Sequence, residues 1–151
     1  LLSGRNPHYL IGEQVISAPI VKDIGLEAIS TGYILLDGGN VTSVEFMSGT
    51  RPIPMDKKDI VASHALAGQY LGMKSIYLEA GSGAKNYIPS DIVELVSNFV
   101  SIPIIVGGGI SSPKIAAKLV KAGASIIVTG TAIEKNHSCM IDFASAVHWK
   151  G

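Results

Sequence analysis

The sequence has little cysteine, no excess charge of either sign and no long apolar run. One cysteine among 151 residues, Cys139, excludes an internal disulfide framework and a cysteine-rich metal site. Twelve Lys and Arg balance twelve Asp and Glu. That neutrality argues against nucleic acid as a partner, since such binders show a net basic excess or a basic stripe. No hydrophobic run approaches the roughly 18–20 residues that a membrane-spanning helix needs. Leu1-Leu2-Ser3-Gly4 carries neither an initiating Met nor the basic-then-apolar pattern of a signal peptide. Also missing are a G-x-S-x-G elbow, an H-E-x-x-H helix, a Walker-type loop, an EF-hand loop and the G-x-G-x-x-G spacing of a dinucleotide fold. The expectation is a soluble, cytoplasmic protein with at most peripheral membrane contact.

What is present is an apolar, glycine-rich chain. Hydrophobic residues make up 47 % and charged ones 16 %, a composition that folds rather than staying disordered. Glycine reaches 17 of 151, about 11 %, against a usual level of roughly 7 %. A helical pattern follows Pro7, with Leu10, Ile11, Val15, Ile16, Ile20 and Ile24 on one side and Gly25 stopping it. Pro19 lies inside it and is expected to kink or split it. Ala28–Leu36 reads as a strand, closed by the turn Asp37-Gly38-Gly39-Asn40, with Val41–Phe46 as a short hairpin partner. A second helix is expected from Asp56 to Tyr70. A regular alternation follows: strand Lys74–Glu79, helix from Pro89-Ser90-Asp91 to Val100, strand Pro103–Val106, helix from Ser112-Pro113 to Ala122, strand Ser125–Thr129, and a last helix over Met140–His148. Ser112 suits an N-cap and Pro113 the first helical turn. Ile76-Tyr77-Leu78, Ile104-Ile105-Val106 and Ile126-Ile127-Val128 are apolar on both faces, as a helix-covered parallel sheet requires. The fold class is α/β with parallel strands.

Two consecutive strand ends carry the strongest chemical signal: Val106-Gly107-Gly108-Gly109-Ile110-Ser111 and Val128-Thr129-Gly130-Thr131. Glycines after a strand let backbone N–H groups approach an anion, and in (β/α)8 barrels the loops after the last two strands commonly hold phosphate. The plainer reading is that they only make tight strand-to-helix turns. A third constellation is Tyr77-Leu78-Glu79-Ala80-Gly81-Ser82-Gly83-Ala84. Strand alternation puts Tyr77 and Glu79 on one face, and a carboxylate at a strand's carboxyl end is placed to act as general base. Ser82 offers a hydroxyl and an N–H to an oxyanion. Tyr33 either lines a pocket or packs. His64 reads as structural, His8, His137 and His148 as surface residues, and Asp56-Lys57-Lys58-Asp59 as a solvated helix start. Arg5, Arg51 and Lys85 are the basic residues near strand-end loops that could assist an anion.

At these residues the chain closely resembles the geranylgeranylglyceryl phosphate synthases. The likeness runs through Tyr77–Ala84, Ile104–Ile110 and Val128–Thr131, and extends to Leu2–Ala18, Thr31–Leu35 and Ala65–Gly72. It implies a phosphate-binding TIM-barrel prenyltransferase that joins the primary hydroxyl of sn-glycerol 1-phosphate to C1 of geranylgeranyl diphosphate. Diphosphate is released, Mg²⁺ serves as cofactor, and the product carries the first ether bond of archaeal membrane lipids. By resemblance, Tyr77, Leu78, Glu79, Ala80, Gly81, Ser82 and Gly83, with Gly107, Gly108, Gly109, Gly130 and Thr131, hold glycerol phosphate. Glu79 assists deprotonation as the allylic C–O bond ionises, and Tyr33 is a candidate wall of the prenyl groove. A polyprenyl diphosphate and a second copy of the chain are the further expected partners, and the expected source is archaeal. The family's metal-binding acid comes from the first barrel strands, which this sequence does not contain. Neither Asp23 nor Asp37 matches it, so no metal ligand is expected in this chain. A heptaprenylglyceryl phosphate synthase, a phosphate-binding barrel isomerase or lyase, and a noncatalytic phosphate-binding half-barrel stand as alternatives.

Length fits the same picture. An eight-unit barrel takes about 250 residues, and the chain carries the last four to five βα units, beginning with a strand end at Leu1-Leu2-Ser3. Residues 1–151 therefore read as the C-terminal portion of a single TIM-barrel domain.

Overall fold

The computed structural model describes residues 1–148. Four parallel strands, β1 (Thr31–Leu35), β2 (Ser75–Glu79), β3 (Ile104–Gly107) and β4 (Ile126–Val128), form one sheet in the order β1-β2-β3-β4. Helices α1 (Glu13–Asp23), α2 (Ser43–Ser48), α3 (Lys58–Tyr70), α4 (Ser90–Phe99), α5 (Pro113–Lys121), α6 (Thr131–Lys135) and α7 (Met140–Val147) precede, separate or follow them. Parallel neighbours need crossover connections, and α3, α4 and α5 supply them. Residues before α1 lie beside the outer edge of β1: the Leu2 N–H donates to the Tyr33 carbonyl at 2.7 Å, and the Leu35 N–H to Ser3 Oγ at 2.9 Å. Leu1–Ser3, read from the sequence as a strand end, is a turn that makes these two edge contacts without joining the sheet as a strand.

Register then fixes what each face of the sheet carries. Tyr33 stands beside Tyr77, Leu35 beside Glu79, and Glu79 beside Gly107. Ile34, Leu36, Ile76, Leu78, Ile104 and Val106 alternate with them and point the other way. There they form a buried layer with Val61 and Ala65 of α3, Ile92, Val93 and Val96 of α4, and Ala116 and Leu119 of α5. Each fully buried aliphatic side chain of this kind contributes about 1.5–3 kcal/mol. Ser112 caps α5, its Oγ accepting from the Ile115 N–H at 3.4 Å, with Pro113 in the first turn.

One local expectation fails, and the first helix has two features of its own. Val41–Phe46 is no hairpin strand: Ser43–Ser48 is helical, because Thr42 Oγ1 accepts from the Glu45 N–H at 3.3 Å. Thr-x-x-Glu is a helix-start spacing, and it overrides the β-branched residues around it. Pro19 does not split the first helix, which runs unbroken over Glu13–Asp23 after a π-turn at His8–Gly12. The carbonyl left without an intrahelical partner lies on an exposed helix, where water replaces the lost donor. That helix also buries nothing: Leu10, Ile11, Val15, Ile16, Ile20 and Ile24 are all exposed. None of the described helices is long and apolar enough to cross a membrane.

Candidate functional site

A cleft of about 600 Å³ opens at the carboxyl ends of β2, β3 and β4. Its wall is built from Tyr77 and Glu79 on β2, Ser82 to Ala84 after it, Gly108 to Ser111 and Pro113 after β3, and Val128 to Ala132 at and after β4. Lys135, Asn136, Cys139 and Phe143 complete the far side. The three constellations picked out in the sequence therefore converge on one cavity. Thr129 Oγ1 donates to the Ile110 carbonyl at 3.1 Å and ties the last two loops together.

Glu79 is the chemical centre of the wall. It is only 6 % exposed, at the strand end. Its Oε1 accepts from the Gly81 N–H at 2.7 Å, and the Tyr77 phenol hydrogen-bonds the same carboxylate. The Tyr33 ring meets the Tyr77 ring edge-on, with centroids 5.0 Å apart and planes inclined at 69°. Burial pushes the Tyr77 phenol above its ordinary value of 10.0, and the hydrogen bond to Glu79, the Glu79 charge and Tyr33 add to the shift. Tyr33 is raised too, by burial first and the Glu79 charge second. Both phenols are held neutral, so Tyr77 serves Glu79 as an O–H donor.

The glycines divide by what a side chain would meet. A Cβ on Gly107 would strike the Tyr77 hydroxyl and the Glu79 carboxylate. Gly108 has φ +85°, and a Cβ there would lie 2.6 Å from the Gly81 nitrogen and 2.8 Å from Glu79 Oε1. Gly109, at φ +69°, would press on the Asn86 carbonyl at 2.8 Å. All three positions need glycine for the close approach of the loops, and Gly108 and Gly109 also for their left-handed backbone. Gly130 differs. Its φ is −110°, and the nearest atom to an added Cβ is Glu134 Oε1 at 3.9 Å. Neither conformation nor internal packing demands a glycine there, and what its missing side chain leaves is room in the cleft.

Not every residue singled out from the sequence lines that cleft. Leu78 and Ala80 are fully buried in the core. Gly81 and Gly107 lie behind the wall, one holding Glu79 and the other passing beneath Tyr77. Tyr33 touches the site through Tyr77 and is not on the cleft wall. Of the three basic candidates, Arg5 donates to the Ser3 and Gly4 carbonyls at 3.3 Å each, Arg51 is exposed elsewhere, and Lys85 lines a separate groove with Asp37 and Asp56. The basic residue that does reach the wall is Lys135, which periodicity and motif spacing gave no reason to single out. His64 is tied to the Ile60 carbonyl at 2.8 Å, and His8, His137 and His148 are exposed.

The donor set does not fit a magnesium ion. Among the described residues Glu79 is the one carboxylate on the wall, and it is engaged by Gly81 and Tyr77. Among the described residues no group of three or more His, Cys, Asp or Glu could hold a metal. The hard divalent ion needs several oxygen ligands.

Comparison with known proteins places this geometry. The PcrB family profile matches residues 1–148. A geranylgeranylglyceryl phosphate synthase of Chitinophaga pinensis is 53 % identical over 148 residues, which cover 98 % of this chain and 59 % of that protein. One from Pyrococcus horikoshii is 49 % identical over 138 residues, 91 % of this chain and 54 % of that protein. The crystal structure of (S)-3-O-geranylgeranylglyceryl phosphate synthase from Thermoplasma acidophilum, in complex with its substrate sn-glycerol-1-phosphate, superposes with a TM-score of 0.85 at 36 % identity. It is matched over 98 % of this chain and 57 % of that one. Wild-type GGGPS from Thermoplasma volcanium gives 0.89 at 32 % identity, over 97 % and 59 % of the two chains. The chain thus spans a little over half the length of these relatives. They come from bacteria as well as archaea, so the likeness does not carry the expected archaeal source.

Proposed function

We propose, from the premise that this chain belongs to the PcrB family, that its cleft holds sn-glycerol 1-phosphate as the acceptor of a prenyl group. The observation that carries the reading is convergence: a buried, oriented carboxylate and two glycine loops face one cavity of a size suited to a small phosphate ester. A glycerol-phosphate complex of the Thermoplasma acidophilum relative supports it. We further read residues 1–151 as the C-terminal portion of an eight-stranded barrel, consistent with the 57 % and 59 % of the solved relatives that they match.

On this reading the phosphate sits on the N–H groups of the loops after β3 and β4, and the glycerol hydroxyls turn toward Glu79. Glu79 takes the proton of the primary hydroxyl as that oxygen bonds C1 of the prenyl group. The allylic C–O bond breaks and diphosphate leaves with the electron pair. Gly81 and Tyr77 hold the carboxylate in place for this step, so its orientation costs nothing at the moment of reaction. Magnesium is implied by the resemblance and takes its ligands from outside this cleft. The geranylgeranyl chain, homo-oligomeric assembly and a cytoplasmic setting belong to the same proposal, with Tyr33 as a wall of the prenyl groove.

The reading is tested by prenyl transfer from geranylgeranyl diphosphate to sn-glycerol 1-phosphate in the full-length protein. Glu79→Gln keeps shape and loses the base, so turnover should fall by about 10²-fold or more. Near-normal turnover in that variant would remove Glu79 from the role. A wild-type protein inactive with both sn-glycerol 1-phosphate and its enantiomer would overturn the reading.

A further inference from the structure

Lys135 closes the short helix α6 at the cleft wall, and among the described residues it and Glu79 are the charged ones that line it. Glu79 is buried, its Oε1 held by the Gly81 N–H and its carboxyl group against the Tyr77 phenol. On the preceding residue, Glu134 Oε1 lies 3.9 Å from where a Cβ on Gly130 would stand. A phosphate monoester settling on the Gly130 loop therefore gives up water beside the Glu134 carboxylate, in a cleft that also holds Glu79. Backbone N–H dipoles offset part of that cost, and a formal positive charge nearby lowers it further for a doubly charged anion. Lys135 is the cation the cleft offers, and among the described residues it takes part in no ion pair.

We propose that Lys135 is an anion-binding residue of this site, supplying the countercharge for the phosphate end of the acceptor, and that Glu134 beside it opposes the same anion. The proposal rests on the reading of the cleft as a glycerol-phosphate site and names the charge that reading requires. Because the lysine is exposed, it acts as a screened point charge rather than a buried ligand. Its contribution must then fade with salt, which a purely structural role would not do.

The test is calorimetric titration of inorganic phosphate, and separately of sn-glycerol 1-phosphate, into wild type, Lys135→Met, Lys135→Arg and Glu134→Gln. Each is run at roughly 50 mM and 500 mM sodium chloride, which shortens the screening length severalfold. Lys135→Met should weaken phosphate about tenfold at low salt and less than about twofold at high salt, as expected for a partly screened contact between a lysine and a dianion. Lys135→Arg should bind like wild type, and Glu134→Gln should bind more tightly. Equal affinity of Lys135→Met and wild type at low salt overturns the proposal. So does a loss that persists undiminished at high salt or is not rescued by arginine. If Lys135 governs phosphate affinity while sn-glycerol 1-phosphate binds no better than phosphate, the inference stands and the acceptor reading falls. The acceptor reading alone survives if glycerol phosphate is preferred and Lys135 is silent. A wild type that binds neither anion overturns both.

Discussion

The two faces of the sheet are made from alternate residues of the same strands, yet they do opposite work. Toward α3, α4 and α5 the strands present only aliphatic side chains, and these are sealed from water. Toward the other side β1 and β2 present Leu35 together with Tyr33, Tyr77 and Glu79, the last three joined ring to ring and phenol to carboxylate at the edge of an open cleft. One face holds the molecule together by burial, which is indifferent to direction. The other holds a carboxylate in one orientation by directional contacts, at some cost in buried polarity. A one-residue shift of register would exchange the two sets. Fold and site are therefore specified by the same pairing, and mutations on alternate residues of β2 should separate stability from function.

The largest stability effect should come from the sealed face. Leu78→Ala removes a fully buried side chain and should cost about 2–5 kcal/mol in denaturant unfolding. Tyr77→Phe on the same strand should leave stability near wild type at neutral pH while altering ligand affinity. If Leu78→Ala costs no more than Tyr77→Phe, the division of labour is wrong. Next come the loops. Gly109→Ala imposes a side chain at φ +69° against the Asn86 backbone and should cost about 1–3 kcal/mol. By contrast Gly130→Ala has free space and should change stability by less than about 0.5 kcal/mol while weakening phosphate binding. Equal destabilisation by the two alanines would erase the distinction between a fold glycine and a ligand glycine.

The open face should also carry an alkaline signature. Tyr33 and Tyr77 ionise near 10.0 when unfolded and only at higher pH in the fold. Above about pH 10 the unfolded chain therefore releases protons that the native one retains, and stability declines with rising pH. Below that pH their contribution is fully present. Tyr77→Phe should flatten the decline in a pH series of thermal melts, and an unchanged slope would contradict the buried phenol. Smallest of all is the ion pair of Lys58 with Asp91, which joins α3 to α4 at the surface and holds the Asp91 carboxyl below its usual value through the Lys58 hydrogen bond. Both partners are about half exposed, so Lys58→Ala should cost less than about 1 kcal/mol.

How much of this was legible in the sequence depended on whether the signal was local. Strands β2 to β4 stood out because Ile76–Leu78, Ile104–Val106 and Ile126–Val128 are apolar runs bounded by helix caps and glycines. The convergence of three loops followed from placing those strands side by side. Helix α2 was hidden because Val41 and Phe46 suggest a strand, while a single capping hydrogen bond from Thr42 decided the matter. Lys135 was hidden for a different reason. It reaches the cleft wall through α6 (Thr131–Lys135), a short helix between β4 and the last helix that the sequence pattern does not mark. The separation of Leu78 from Glu79 could have been read from strand alternation alone, since the motif's even and odd positions point opposite ways.

The most direct measurement follows backbone amides by NMR while sn-glycerol 1-phosphate is titrated into the protein. The account predicts saturable shifts at Gly83, Gly108, Gly109, Gly130 and Thr131, with the amides of Ile92, Val96 and Leu119 on the helix-covered face unmoved. Shifts confined to the exposed first helix or to the Lys85 groove, or no saturable shift in the three loops, would contradict it.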